Sequence, residues 1–264
     1  MKHLWIAVIL LCLAIPVDIP AFSETQMGYS MPSTAPLYPE GPFEYRNSCM
    51  MSIAFKTSPE VLMELVPEPL KPNADNVISV FVATFHAAGV GPYHEAGIVV
   101  PASFQGVEGR YIAYMYLDQD NAIAAGREIW GYPKKEARFS IVEKDGMIRA
   151  VVERGGVEII KASVILGDLV KEPEKLPPPK PQFNLKIIPS VRQGARPDIQ
   201  QITSNTAQNY RVLKAYKGDA TVEFGISPAD PLHRIKVEKI LGGSYSQVEF
   251  DLTYGEVLYD YLSR

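Results

Sequence analysis

ARFSIVEKDGMIRAVVERGGVEIIKASV, residues 137–164, decides the fold class of this chain. Three short runs rich in Val, Ile and Phe, namely Ala137 to Val142, Ile148 to Arg154 and Val157 to Val164, are separated by Glu143-Lys144-Asp145-Gly146 and by Arg154-Gly155-Gly156. β-branched and aromatic side chains fit a pleated surface, and glycine supplies the positive φ of tight hairpin turns. The stretch therefore predicts two successive hairpins. The same texture continues outward, through Met50 to Phe55, Val77 to Phe85 and Tyr111 to Leu117 upstream, and Phe183 to Ile188, Ala220 to Phe224 and Gln247 to Tyr254 downstream. Helices are few. Ser58-Pro59-Glu60-Val61 opens one, with serine as N-cap and proline at the first helical position, and it ends before Pro67. Asp120 to Glu128, alanine-rich and with Asp120 as cap, is the second.

Between these β runs lies KEPEKLPPPKPQ, residues 171–182, whose proline density excludes helix and central strand and marks a connector. The runs after it are too few to build a core of their own. The expectation is one large mainly β (α+β) domain, residues 24–264, crossed by a proline-rich internal loop at 171–182. No internal repeat is present.

At 264 residues, 47% hydrophobic and 21% charged, the chain can bury a sizeable core. A net charge of -4 with no long basic run argues against nucleic acid or an anionic membrane as partner, and a small molecule is expected instead. The first residues read as a signal peptide: Lys2 and His3 precede an apolar stretch from Trp5 to Val17, and Ala21-Phe22-Ser23 offers small residues for cleavage after Ser23. The apolar run is shorter than the roughly 20 residues a membrane span needs. The mature chain is expected to begin at Glu24, exported to the periplasm or secreted, with no membrane attachment after cleavage. Cys12 would leave with the signal, so Cys49 would stand alone, without an intramolecular disulfide.

Walker A, G-x-S-x-G and H-E-x-x-H motifs are absent, and no cysteine cluster is spaced for zinc. His86 and His94 lie near Glu95, but at a spacing that neither helix nor strand turns into one face, so no metal is expected. The informative segment is Gly126-Arg127-Glu128-Ile129-Trp130-Gly131-Tyr132-Pro133-Lys134-Lys135. Trp130, Tyr132 and Pro133 make the approach to Lys134 apolar and stiff, and Pro133 biases Tyr132 to an extended conformation. An ammonium cannot attack a carbonyl, whereas burial in an apolar pocket favours the nucleophilic amine. Adjacent residues of extended backbone point to opposite faces, so Lys135 need not meet Lys134.

The chain resembles the acetoacetate decarboxylase family over nearly its whole mature length. The matching segments run in order through Gly41-Pro42, Val66-Pro67-Glu68-Pro69-Leu70, Glu95-Ala96-Gly97, Val100-Pro101-Ala102-Ser103-Phe104, Met115-Tyr116-Leu117-Asp118, Gly126-Arg127-Glu128, Tyr132-Pro133-Lys134-Lys135, Leu185-Lys186-Ile187-Ile188-Pro189 and Tyr259-Asp260-Tyr261-Leu262. The resemblance implies an antiparallel β-barrel-like cone with peripheral helices, a homo-oligomer, and no metal or organic cofactor. It also implies that Lys134 is the Schiff-base nucleophile, Lys135 its companion and Glu95 the active-site carboxylate, acting on a small carbonyl substrate such as a keto acid.

The resemblance departs at two positions. The family's decarboxylases carry an arginine shortly after the Gly-Pro and a glutamate in the strand before Glu95; in this chain those positions fall on Ser48 and on Val80-Phe81. Arg46, two residues before Ser48 and so on the same strand face, is the candidate replacement. Arg46, Ser48, Phe81, Trp130 and Tyr132 are therefore the expected substrate-binding residues. Decarboxylation is the leading activity; aldol condensation with dehydration would use the same lysine, and a non-catalytic exported binding protein would keep only the pocket.

Overall fold

The computed structural model describes residues 28–263; the N-terminal segment with its expected cleavage after Ser23 lies outside them. In chain order the strands are β1 Phe43–Lys56, β2 Lys71–Pro72, β3 Val77–Ala87, β4 Gly91–Phe104, β5 Val107–Leu117, β6 Lys134–Glu136, β7 Arg138–Lys144, β8 Met147–Arg154, β9 Val157–Ile165, β10 Asp168–Leu169, β11 Gln182–Ile188, β12 Ile199–Asn205, β13 Gln208–Gly218, β14 Ala220–Phe224, β15 Lys239–Leu252 and β16 Glu256–Asp260. The helices are α1, Pro59–Leu65, and α2, Asp120–Ala125, the latter continuing into a π-helical turn at Gly126–Trp130.

Twelve strands form one sheet along the path β10-β13-β15-β1-β3-β4-β5-β11-β12-β16, with β2 added to β4 and β6 to β5; β14-β9-β8-β7 form a second sheet. The second sheet contains the two expected hairpins, with Asp145 and Gly146 at φ 52° and 72° in one turn and Gly155 and Gly156 at 59° and 78° in the other. The mainly β, single-domain expectation holds, with two corrections. The large sheet is mixed, because β5 pairs in parallel with both β6 and β11. Its strand path is also open rather than closed into a barrel.

The central strands β3 and β4 are buried and largely apolar on both faces, and strand alternation assigns each residue to one of them. On β3, Ile78, Val80 and Val82 join a core shared with Met51, Ile53 and Phe55 of β1 and with Ile148, Val152, Ile160 and Val164 of the small sheet. The alternate residues, Phe81, Ala83 and Phe85, face a second cluster with Tyr45, Tyr93, Met115 and Trp130. On β4, Ala96, Ile98, Val100 and Ala102 belong to the first core, leaving Tyr93, Glu95, Val99 and Pro101 to the other face. The first core holds the sheets together. The second face holds the cavity.

Candidate active site

Glu95 reaches that second face through β4, pairing with Ala83 of β3 and Leu117 of β5. A register shift where β5 passes Ile98 and Val99 inserts one extra residue, Ala113, and turns Met115 toward the cavity side after Arg110 and Ile112. Such a bulge exchanges the two faces downstream of it. Lys134 begins β6 beside Met115 in parallel register. The segment before it is shaped by Gly131 at φ 81°, a left-handed conformation that glycine adopts without strain and that ends the π-helical turn. Pro133 follows, and the Lys134 amide donates to the Tyr132 carbonyl at 2.8 Å while the Arg127 guanidinium donates to the Lys134 carbonyl at 3.2 Å. These contacts fix the backbone from which the lysine departs.

The lysine and glutamate side chains are each 7% exposed, and Lys134 Nζ lies 3.1 Å from Glu95 Oε2. Nζ also donates to the Ala122 carbonyl of α2 at 3.2 Å and sits 5.5 Å and 5.7 Å from the ring centres of Tyr132 and Tyr93. Glu95 Oε2 is buried, and the Lys134 ammonium is the cation that faces it among the described residues. The lysine threads past Gly126, where an added Cβ would stand 2.5 Å from both Cδ and Cε. Burial pushes the phenols of Tyr45, Tyr93 and Tyr132 well above the ordinary tyrosine range, so all three remain neutral and can donate hydrogen bonds. The Tyr45 and Tyr93 hydroxyls are 3.0 Å apart.

These groups stand at one side of a cavity of about 180 Å³. Most of its wall is apolar, including Phe81, Phe85, Val99, Ile112, Met115 and Phe250. A 150 Å³ apolar cavity accommodates benzene, so the space suits a small organic molecule. Apolar walls with a few converging polar groups are the usual makeup of such a site.

Of the expected site residues, the structure brings Lys134, Glu95, Phe81 and Tyr132 onto the cavity. Alternation settles the ambiguity at Val80-Phe81: Val80 faces the intersheet core and Phe81 the cavity. Trp130 lies behind the wall, 4% exposed, packed edge-on against Phe43 and donating its indole N–H to the Thr253 carbonyl. Lys135 points away from the cavity. Its ammonium lies 2.7 Å from Asp230, a fully buried carboxylate also held by Arg154 and Tyr116 at 3.1 Å each.

Arg46 and Ser48 also fall outside the cavity, contrary to expectation. A register shift in β1 around Asn47, whose φ is 48°, breaks the alternation that would have placed them on its wall. Arg46 instead pairs with Asp251 at 2.8 Å and Glu44 at 3.0 Å, and the buried Ser48 hydroxyl accepts the His86 amide. His94 pairs with Asp118 at 2.7 Å and stacks on Phe139.

Most of the cavity wall was not anticipated, its polar members Tyr93, Gln182 and Arg110 included. Gln182 ends the proline-rich loop, and Pro179 of the same loop lines the cavity, so that connector is part of the wall. The Tyr132 hydroxyl donates to Gln182 Oε1 and accepts from the Asn205 amide at 2.9 Å.

Comparison with known proteins identifies the family of the chain. The acetoacetate decarboxylase (ADC) family model matches residues 28–262. The chain is 32% identical to the acetoacetate decarboxylase of Ralstonia nicotianae, covering 94% of this chain and all of that protein. It is 33% identical to that of Burkholderia multivorans, over 89% and 96% of the two chains. Among solved structures, acetoacetate decarboxylase from Legionella pneumophila superposes with a TM-score of 0.81 at 29% identity, covering 90% of this chain and 96% of that one. The enduracididine biosynthesis enzyme MppR, at 17% identity, shares the fold with a TM-score of 0.80 over 92% and 98% of the chains. With the family model matched over residues 28–262 and relatives above 30% identity covered along nearly their whole length, the chain belongs to the acetoacetate decarboxylase family.

Proposed function

We propose that the protein is a lysine-imine decarboxylase of small keto acids. The observation that carries this reading is the buried Lys134 amine 3.1 Å from the Glu95 carboxylate on the wall of a mostly apolar cavity. Lys134 Nζ attacks the substrate ketone, and loss of water leaves an iminium. The bond to the neighbouring carboxylate then breaks, its electron pair flows to the iminium nitrogen, and carbon dioxide departs, leaving an enamine. Protonation at carbon and hydrolysis return the ketone product and the free amine. Glu95 is placed to take and return the protons, a role for which hydrogen-bond reach is the first requirement. Tyr93 and Tyr132, kept as neutral phenols, flank the nitrogen. At Val80-Phe81, where the resemblance sets a glutamate in the family's decarboxylases, Phe81 presents an aromatic ring to the cavity. Export after residue 23 and assembly as a homo-oligomer complete the proposal, testable by N-terminal sequencing of the mature protein and by its mass in solution.

The test is reductive trapping. Acetoacetate or pyruvate with cyanoborohydride should leave a reduced adduct on the peptide that contains Lys134. Failure to find one across a panel of keto acids and aldehydes refutes the imine. Carbon dioxide release, measured against formation of aldol product, separates decarboxylation from aldolase-dehydratase chemistry on the same lysine.

A further inference from the structure

Arg110 lies on β5, five residues before Met115, the register partner of Lys134. Five strand steps separate the two starting points by roughly 16 Å, yet both side chains reach the same cavity. The Arg110 backbone is fixed by its amide, which donates to the Pro181 carbonyl at 2.8 Å, and its Nη2 lies 3.4 Å from the Lys180 carbonyl. Both carbonyls belong to the proline-rich loop. No carboxylate among the described residues pairs with the guanidinium, and its Nε is buried without an acceptor. Its neighbours are the neutral phenols of Tyr210 and Tyr132, and burial lowers its pKa. A desolvated cation without a counter-charge is unfavourable. A guanidinium is suited to grip a carboxylate with two parallel hydrogen bonds.

We infer that Arg110 binds a second, retained carboxylate of the substrate, so that the cavity takes a keto acid with an anionic group remote from the bond that breaks. The inference rests on the imine reading above. It divides the labour within one ligand: the carbonyl meets Lys134, the departing carboxylate lies among apolar residues near Phe81, and the remote carboxylate reaches Arg110. A β-keto diacid such as 3-oxohexanedioate meets this description. It would lose one carboxylate as carbon dioxide, gain a proton at the same carbon, and leave as 4-oxopentanoate with the remote carboxylate intact.

The test compares 3-oxohexanedioate with its monoester at the remote carboxyl, scoring the reduced adduct on the Lys134 peptide and kcat/KM for carbon dioxide release. The diacid should be favoured by about ten- to a hundredfold, the span of a charge-assisted hydrogen bond. In Arg110→Met that preference should collapse toward unity, and in Arg110→Lys, which keeps the charge without the fork, it should fall to an intermediate ratio. Equal use of diacid and monoester by the unaltered protein overturns the inference while leaving the imine intact. Absence of any Lys134 adduct with either compound overturns both. Because the ester comparison needs no variant, an Arg110 protein that fails to fold does not remove the test.

Discussion

Replacing Gly126 by alanine separates folding from chemistry in this site. Gly126 has ordinary right-handed helical angles, φ -62° and ψ -42°, so the backbone accepts alanine without strain. Alanine in a helix is favoured over glycine by about 1 kcal/mol, which would leave the fold as stable or more so. The new Cβ, however, would stand 2.5 Å from Cδ and Cε of Lys134. Carbon atoms rest at about 3.5–4.0 Å, so the lysine must shift by at least ~1 Å. That shift breaks its 3.1 Å approach to Glu95 and its 3.2 Å bond to Ala122. Misplacement of a reacting group by about 1 Å costs on the order of a hundredfold, or about 2.7 kcal/mol of transition-state stabilisation. We therefore expect Gly126→Ala to keep its thermal midpoint while kcat/KM and the rate of adduct formation fall about a hundredfold. A folded variant with undiminished trapping at Lys134 would refute the claim that this glycine makes room for the nucleophile.

Other outcomes follow from the same geometry. Lys134→Ala should abolish the reduced adduct altogether; an adduct that persists at the same level on another lysine would move the nucleophile. Glu95→Gln should lower kcat by about 10²- to 10⁴-fold, the usual worth of a positioned acid-base group, and unchanged kcat in steady-state assays would deny it that role. Lys135→Met leaves Asp230 with Arg154 and Tyr116 alone. Because that ammonium is more than a third exposed, we discount the cost of breaking a buried pair to about 1–3 kcal/mol, read as a lower urea midpoint, with adduct formation at Lys134 persisting. Burial pushes Tyr111 up to about 12. A raised phenol contributes stability that is complete below its unfolded value near 10 and is lost as pH climbs through the folded one. Stability measured by urea unfolding should thus fall between about pH 10 and 12 by ~1.4 kcal/mol per pH unit from this group, and Tyr111→Phe should make the fall shallower; an identical slope in the variant would exclude Tyr111 as the cause.

The β character was readable wherever apolar alternation ran uninterrupted, as in Val77 to Phe85 and the meander from 137 to 164. It failed where strands serve the cavity or one another with polar or special residues. β4 contains Gly91, Pro92, Gly97 and Pro101, which look like loop punctuation. Gly97 is required there because the Phe81 ring lies 2.6 Å from where its Cβ would be. β12 ends in buried Thr203, Ser204 and Asn205, and Asn205 holds Tyr132. Lys134 was legible because Tyr132, two residues before it, also flanks its amine in space. Arg110 was not, since its link to the site runs through sheet register and a bulge at Ala113. The β1 bulge at Asn47 likewise defeats simple counting for Arg46 and Ser48. Local sequence reports a strand's alternation but not the single inserted residue that exchanges its faces.

The proline-rich loop contributes Pro179 and Gln182 to the cavity, while the lysine and glutamate stand on strands of the large sheet. The Lys134–Glu95 pair and one wall of the chamber are thus carried by different parts of the chain. Exchanging residues 171–179 while keeping the Lys180, Pro181 and Gln182 contacts to Arg110 and Tyr132 would reshape that wall and leave the strands that carry Lys134 and Glu95 in place. On the proposed imine reading, the connector is for an engineer a replaceable faceplate, through which one amine could be fitted to carbonyl compounds of different reach.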